Sequence, residues 1–253
     1  MYKCNEKISF KAVTLEDPRE QSSVFLDPNE LSTDGTAHLG SFEWSENGKY
    51  MAYQINRGGS DWSTIYVRDA DSGKDLGEEL KWVKFSGVSW TKDNLGFYYS
   101  RFDAPESIAN STDANKAGQE TDKLKFHQVF YHRVGTAQSE DVKVYEDKNE
   151  PDWMFDCSVT HDGKYLMLST RKDCDDIELL SIAELADPSS QNKGLIEFTP
   201  LIKDWFGGFS YIHNIGSKFY FKTNFKAPRS RVICIDLAKP EQEAWTEVIP
   251  EHG

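Results

Sequence analysis

A hairpin-like motif recurs four times along this chain. A repeat of that size constrains the fold more than any single residue, because each copy supplies only part of a sheet and must stack on its neighbours to bury an apolar face. The copies begin at Phe42, Val88, Cys157 and Ser210, at intervals of 46, 69 and 53 residues. Within them Trp44, Trp90, Val159 and Ile212 are each followed four positions later by Gly48, Asn94, Gly163 or Gly216, and nine positions later by Tyr53, Tyr99, Leu168 or Phe221. That spacing predicts strand, tight turn, strand. At Asn47-Gly48 and Asp162-Gly163 it predicts type I′ turns, in which both turn residues take positive φ.

A second pattern follows each copy: Ser63 to Asp69, His127 to Val134, Ile177 to Ile182 and Arg231 to Leu237. These runs are short, β-branched or aromatic, and several end in turn residues, so each predicts a further strand of the same sheet. Unrelated hairpins of a β-sandwich would share the composition. The doubled, ordered recurrence favours an all-β fold of four-stranded propeller blades, roughly 39–80, 81–149, 150–202 and 203–253, after an N-terminal segment 1–23. The stretch from Asp103 to Lys125, poor in large apolar residues, reads as an insertion that lengthens the second interval. Its Asn110-Ser111-Thr112 matches a glycosylation acceptor, which matters only on a secretory route.

Composition excludes several functions. With 38% hydrophobic and 13% aromatic residues, the chain can build a core despite 28% charged residues. A formal net charge of −13 with no basic stripe argues against nucleic acid. The N-terminus has no apolar signal-peptide core and no run is long enough to span a membrane, so a cytoplasmic location is expected. Cys4, Cys157, Cys174 and Cys234 lack metal-ligand spacing and read as free thiols of a reducing compartment. Asp173, Asp175 and Asp176 lack the spacing of a calcium loop and read as a solvated turn. Neither a metal nor a cofactor is expected.

A nucleophile is also not evident. Gly58-Gly59-Ser60-Asp61-Trp62 and Gly207-Gly208-Phe209-Ser210-Tyr211 each lack the second glycine of a nucleophile elbow, so they read as loops between strands. His127, His132, His161 and His213 fall in or beside predicted strands and turns, where a structural role is the default. No bond-breaking group is expected in this chain.

Several segments resemble the propeller of the prolyl oligopeptidase family: Val24-Phe25-Leu26-Asp27-Pro28-Asn29, Gly59-Ser60-Asp61-Trp62, Val83-Lys84-Phe85-Ser86, Gly135 to Asp141, Glu150-Pro151-Asp152-Trp153-Met154 and Val248-Ile249-Pro250-Glu251-His252. The likeness runs from about Val24 to Gly253, while residues 1 to about 23 match poorly. It implies a cytosolic serine peptidase that cuts short peptides after proline. In it a seven-bladed propeller acts as lid and filter over an α/β-hydrolase domain carrying the Ser, Asp and His. On this resemblance the chain is an arc of about four blades plus a fragment. Its partners would be short proline-containing peptides and the hydrolase domain, which lies outside it.

The resemblance also assigns site residues. Phe85, Met154 and Cys174 match residues of the apolar pocket that takes the substrate side chain two places before the proline, and Arg171 matches a polar contact near the scissile region. Glu46 and Asp61 match acidic residues that shape the field of the site. Read without the family, Phe85 and Met154 would be core residues beside strands, and Glu46 and Asp61 would be turn and loop caps. Phe155-Asp156 stands where the family usually carries two glycines, and Gly87 where some relatives carry Cys, so the pocket is expected to differ in shape. Alternatives are a stand-alone propeller serving as an interaction scaffold, or the propeller of a related peptidase with another preference. An arc of this kind is expected to expose a raw sheet face at each end, and hence to dimerise, aggregate or close into a smaller ring.

Overall fold

The computed structural model describes residues 2–4, 22–106, 123–172, 174–185 and 194–252. Asn110-Ser111-Thr112, most of the expected insertion, Asp173 and the side chain of Cys4 lie outside them. A short pair, β1 (Tyr2–Cys4) and β2 (Ser22–Val24), leads into four antiparallel sheets of four strands. The first holds β3 (His38–Trp44), β4 (Tyr50–Asn56), β5 (Ser63–Asp69) and β6 (Leu80–Val83). The second holds β7 (Val88–Trp90), β8 (Gly96–Arg101), β9 (Gln128–Arg133) and β10 (Val142–Glu146). The third holds β11 (Met154–Val159), β12 (Tyr165–Arg171), β13 (Leu179–Glu184) and β14 (Thr199–Ile202). The fourth holds β15 (Phe209–Ile215), β16 (Lys218–Thr223), β17 (Arg231–Asp236) and β18 (Thr246–Ile249).

Within each sheet the strands follow chain order as a meander. The strand alternation decides what packs where. Ala52, Ile65, Val67 and Leu80 of the first sheet meet Trp90, Phe97, Tyr99 and Phe130 of the second. Tyr98, Tyr131 and Val144 on the other side of the second sheet meet Phe155, Cys157, Leu166 and Leu168 of the third. Met167, Leu180 and Ile182 then meet Phe209, Phe219, Phe221, Ile233 and Ile235 of the fourth. The first strands β3, β7 and β11 approach one another along one edge. Among the described residues no apolar cluster joins the fourth sheet to the first, so the blades form an open propeller arc.

The two ends of the arc differ. Phe25, Leu26 and Ala37 cover Met51, Tyr53 and Ile55 of β4, which are 2% exposed or less. The expectation of a raw face at each end holds only in part at the first sheet: the chain's own preceding segment covers β4, while Phe42 and Trp44, paired with Tyr53 and Met51 on the same face, stay 42 and 40% exposed. The last sheet leaves Ile212, Val248 and Ile249 44, 48 and 49% exposed.

The hairpin turns also differ from expectation. Gly48 and Gly163 take φ of +69° and +72°, whereas Asn47 and Asp162 are not among the positive-φ residues. The reason lies in the hydrogen bonds. Gly48 N–H donates to the Ser45 carbonyl and Gly163 N–H to the Thr160 carbonyl, both at 2.8 Å. The side chains of Asn47 and Asp162 meanwhile accept from Ser45 Oγ and Thr160 Oγ1, which holds them in the right-handed part of the turn.

Candidate functional site

Antiparallel meanders bring the starts of first and third strands, and the ends of second and fourth strands, to the same end of the arc. At that end Met154 opens β11 and is registered opposite Arg171, the last residue of β12, while Asp156 is registered opposite Ser169. Strand alternation sends these four residues away from Phe155 and Cys157, which pack on the second sheet. They line a pocket of about 460 Å³ with Phe85, Cys174, Glu178 and the start of β15 at Gly208, Phe209 and Ser210.

Local chemistry fixes each wall. Phe85 lies in the connection from β6 to β7, takes φ of +55° and is 58% exposed, so the core role expected without the family does not apply to it. Its ring is 5.4 Å from Lys84 Nζ, which also lies 5.2 Å from the Trp62 ring. Gly87 N–H donates to Asp156 Oδ1 at 3.3 Å, tying that connection to β11. Burial raises the Asp156 carboxyl above its ordinary range, opposed by the N–H groups of Gly87 and Cys157 and by the charge of Arg171. Asn224 bridges the far wall: its Oδ1 accepts from Gly208 N–H at 2.8 Å, and its Nδ2 donates to Asp176 Oδ2 at 3.0 Å. Gly208 is needed for this close approach, since an added Cβ would sit 2.9 Å from Asp176 Oδ1 and 3.2 Å from the Asp176 carbonyl.

Arg171 shares its charge with a buried neighbour. Its Nε lies 3.6 Å from Glu178 Oε2, the two side chains being 57% and 8% exposed. Glu178 Oε1 accepts from Phe209 N–H at 2.8 Å, and Oε2 accepts from the Ser169 hydroxyl. The pocket thus combines Phe and Met surfaces, one guanidinium, an exposed thiol, Cys174, and the carboxylates of Asp156, Asp175, Asp176 and Glu178. The apolar surfaces and the guanidinium suit a peptide side chain and its carbonyls. Among the described residues no group of three or more His, Cys, Asp or Glu could hold a metal ion.

Of the six residues singled out in the sequence, the structure brings Phe85, Met154, Arg171 and Cys174 together. Asp61 does not line the pocket. It lies at the same end of the arc, in the loop between β4 and β5 of the first sheet, 3.9 Å from Lys84 Nζ. Glu46 is at the opposite end, in the turn between β3 and β4, where it pairs with Lys92. Its placement fits the turn role and separates it from the site. Sequence reading missed Glu178, Phe209 and Asn224. Glu178 carried a signal, a charged residue set among the apolar residues of the predicted third strand. Asn224 carried none, because its partners lie in other loops.

The sheets and their shared edge define the propeller class of β proteins. The model of the family described as prolyl oligopeptidase, N-terminal β-propeller domain, matches residues 3–253. This chain belongs to that family. The match takes in most of the N-terminal segment that the sequence likeness left out. Prolyl oligopeptidase A of Amanita bisporigera is 39% identical over 257 residues, covering 95% of this chain and 33% of the relative. Prolyl oligopeptidase A of Galerina marginata is 41% identical over 239 residues, covering 90% and 31%. The chain spans about a third of the length of these curated relatives. In solved structures, prolyl oligopeptidase B of Galerina marginata, bound to a 35mer hydrolysis and macrocyclization substrate, superimposes with a TM-score of 0.82 at 34% identity. That alignment covers 99% of this chain and 34% of the other. No helix among the described residues is long and apolar enough to cross a membrane.

Proposed function

We propose that this chain is the substrate-admitting propeller part of a serine peptidase that cleaves short peptides after proline. A hydrolase domain supplies the nucleophile, and the reaction is acyl transfer to water. In this reading Phe85 and Met154 hold an apolar side chain upstream of the proline, Cys174 completes the wall, and Arg171 donates to the peptide near the scissile bond. Asp61 contributes to the field at the pocket end of the arc. The observation that carries the reading is the convergence of Phe85, Met154, Arg171 and Cys174 on one pocket from three separate segments. Cys157, Cys174 and Cys234 are free thiols, which supports action in a reducing, cytoplasmic compartment.

The test is Arg171→Ala in the full-length protein. Losing a charge-assisted contact of about 1.4 kcal/mol raises KM for proline-containing peptides about tenfold. Steady-state kinetics identical to those of the parent would overturn the assignment.

A further inference from the structure

Glu178 has no part in the reading above, yet its bonds single it out. The residue is 6% exposed, and its carboxylate accepts from Phe209 N–H at 2.8 Å and from the Ser169 hydroxyl. Two neutral donors satisfy the oxygens but leave the charge. A buried carboxylate is costly unless a cation stands near it. Among the described residues, Arg171 is the cation within ion-pair distance, at 3.6 Å from Nε to Oε2.

The consequence concerns Arg171 more than Glu178. An arginine at a strand end, 57% exposed, would otherwise sample many rotamers, and each would carry its guanidinium to a different place. Attraction at Nε leaves four of the five N–H donors for another partner. Glu178 also spans two blades, since it precedes β13 and grips the first residue of β15. The guanidinium is therefore referenced to both pocket walls at once.

We propose that Glu178 is a positioning residue that holds the Arg171 guanidinium at the pocket. For its effect on substrate it rests on the reading of Arg171 as a peptide contact. A carboxylate that merely joined β13 to β15 would need no cation, and glutamine would serve as well.

Glu178→Gln in the full-length protein separates the two roles, because the amide oxygen still accepts from Phe209 N–H while the charge is gone. Two readouts are needed. Peptide-mapped phenylglyoxal labelling of Arg171, normalised to the exposed Arg133, rises severalfold in Glu178→Gln, and Glu178→Asp restores slow labelling. KM for proline-containing peptides rises about fivefold with kcat within about twofold, and the Glu178→Gln/Arg171→Ala double variant is no worse than Arg171→Ala alone. Labelling unchanged by Glu178→Gln, or additive effects in the double variant, would overturn the proposal. Faster labelling in Glu178→Gln with KM unmoved by Arg171→Ala would uphold the positioning and sink only the substrate contact. If Glu178→Gln does not fold, salt makes the comparison in the parent protein: raising it screens the Glu178–Arg171 attraction and speeds Arg171 labelling relative to Arg133, and a ratio that does not change with salt would overturn the proposal.

Discussion

At the scale of the residue, two histidines at and within one strand are held in different charge states, one neutral and one positive. His127, just before β9, accepts from Phe155 N–H at 3.0 Å and lies 4.3 Å from the Phe102 ring, and burial pushes its pKa down to about 4. His132, within β9, is equally buried. Burial alone would lower its pKa, but its Nδ1 stands 2.6 Å from Asp141 and its Nε2 3.7 Å from Glu78, and the two carboxylates raise it to about 9. An unfolded imidazole titrates near 6.5. The neutral His127 therefore contributes stability that is present above pH 6.5 and lost as the pH falls toward 4. The charged His132 contributes stability that is present below pH 6.5 and lost as the pH rises toward 9. Each limb is about 3 kcal/mol. Thermal melts across pH should peak between 6 and 7, and His132→Asn should flatten the alkaline limb while leaving the acid one. A melting temperature that climbs steadily from pH 6.5 to 9 would contradict the assignment. In the sequence both histidines are legible only as strand residues; their charges depend on Glu78, Asp141 and Phe155, which other strands and loops bring in.

At the scale of the element, the hairpin turns form a repeated unit with a rule of its own. Ser45, Thr91 and Thr160 each donate a side-chain hydroxyl to the residue two places on, Asn47, Asp93 and Asp162. Those same side chains accept from the backbone N–H of Lys49, Leu95 and Lys164. The positive φ is left to Gly48, Asn94 and Gly163. The turns also join neighbouring blades: Asn47 N–H donates to Asn94 Oδ1 at 2.9 Å, and Asn214 Nδ2 donates to Asp162 Oδ2 at 2.8 Å. Asp162→Ala removes bonds within the turn and the link to β15 together, so a loss of about 2 kcal/mol is expected in denaturant unfolding. A loss below about 0.5 kcal/mol would mean that the turn backbone holds its shape unaided. The turn positions are plain in the sequence. The turn type is not, because the competition between an Asn-Gly pair and a capping side chain is decided by hydrogen bonds that the pair itself does not encode.

At the scale of the whole molecule, the arc is held by three apolar interfaces between sheets and by a cap over the first. Its last sheet has no such cover among the described residues. Ile212, Val248 and Ile249 are about half exposed, and an uncovered sheet face seeks another apolar surface. The 253-residue chain taken by itself is expected to sediment as oligomers, and Ile212→Lys with Ile249→Glu to shift it toward monomer. Monomeric sedimentation of the unsubstituted chain would show that the face is masked in another way.

The family was legible through the likeness of particular segments; what the pattern of the sequence itself determined is periodic and local: three of the four strands in each sheet, the sheet order and the turn positions. These follow from alternation of apolar residues, from turn chemistry and from recurrent spacing, all carried by neighbours along the chain. The pocket depended on the tertiary structure. Phe85, Met154, Arg171 and Cys174 drew attention through likeness to a family, but only the stacking of the third sheet on the fourth sets them beside Phe209, Asn224 and Glu178. Glu46 falls at the far end because it sits in the turn between β3 and β4. Which residues face one another across blades is fixed by packing between sheets, and no spacing within a single strand contains it.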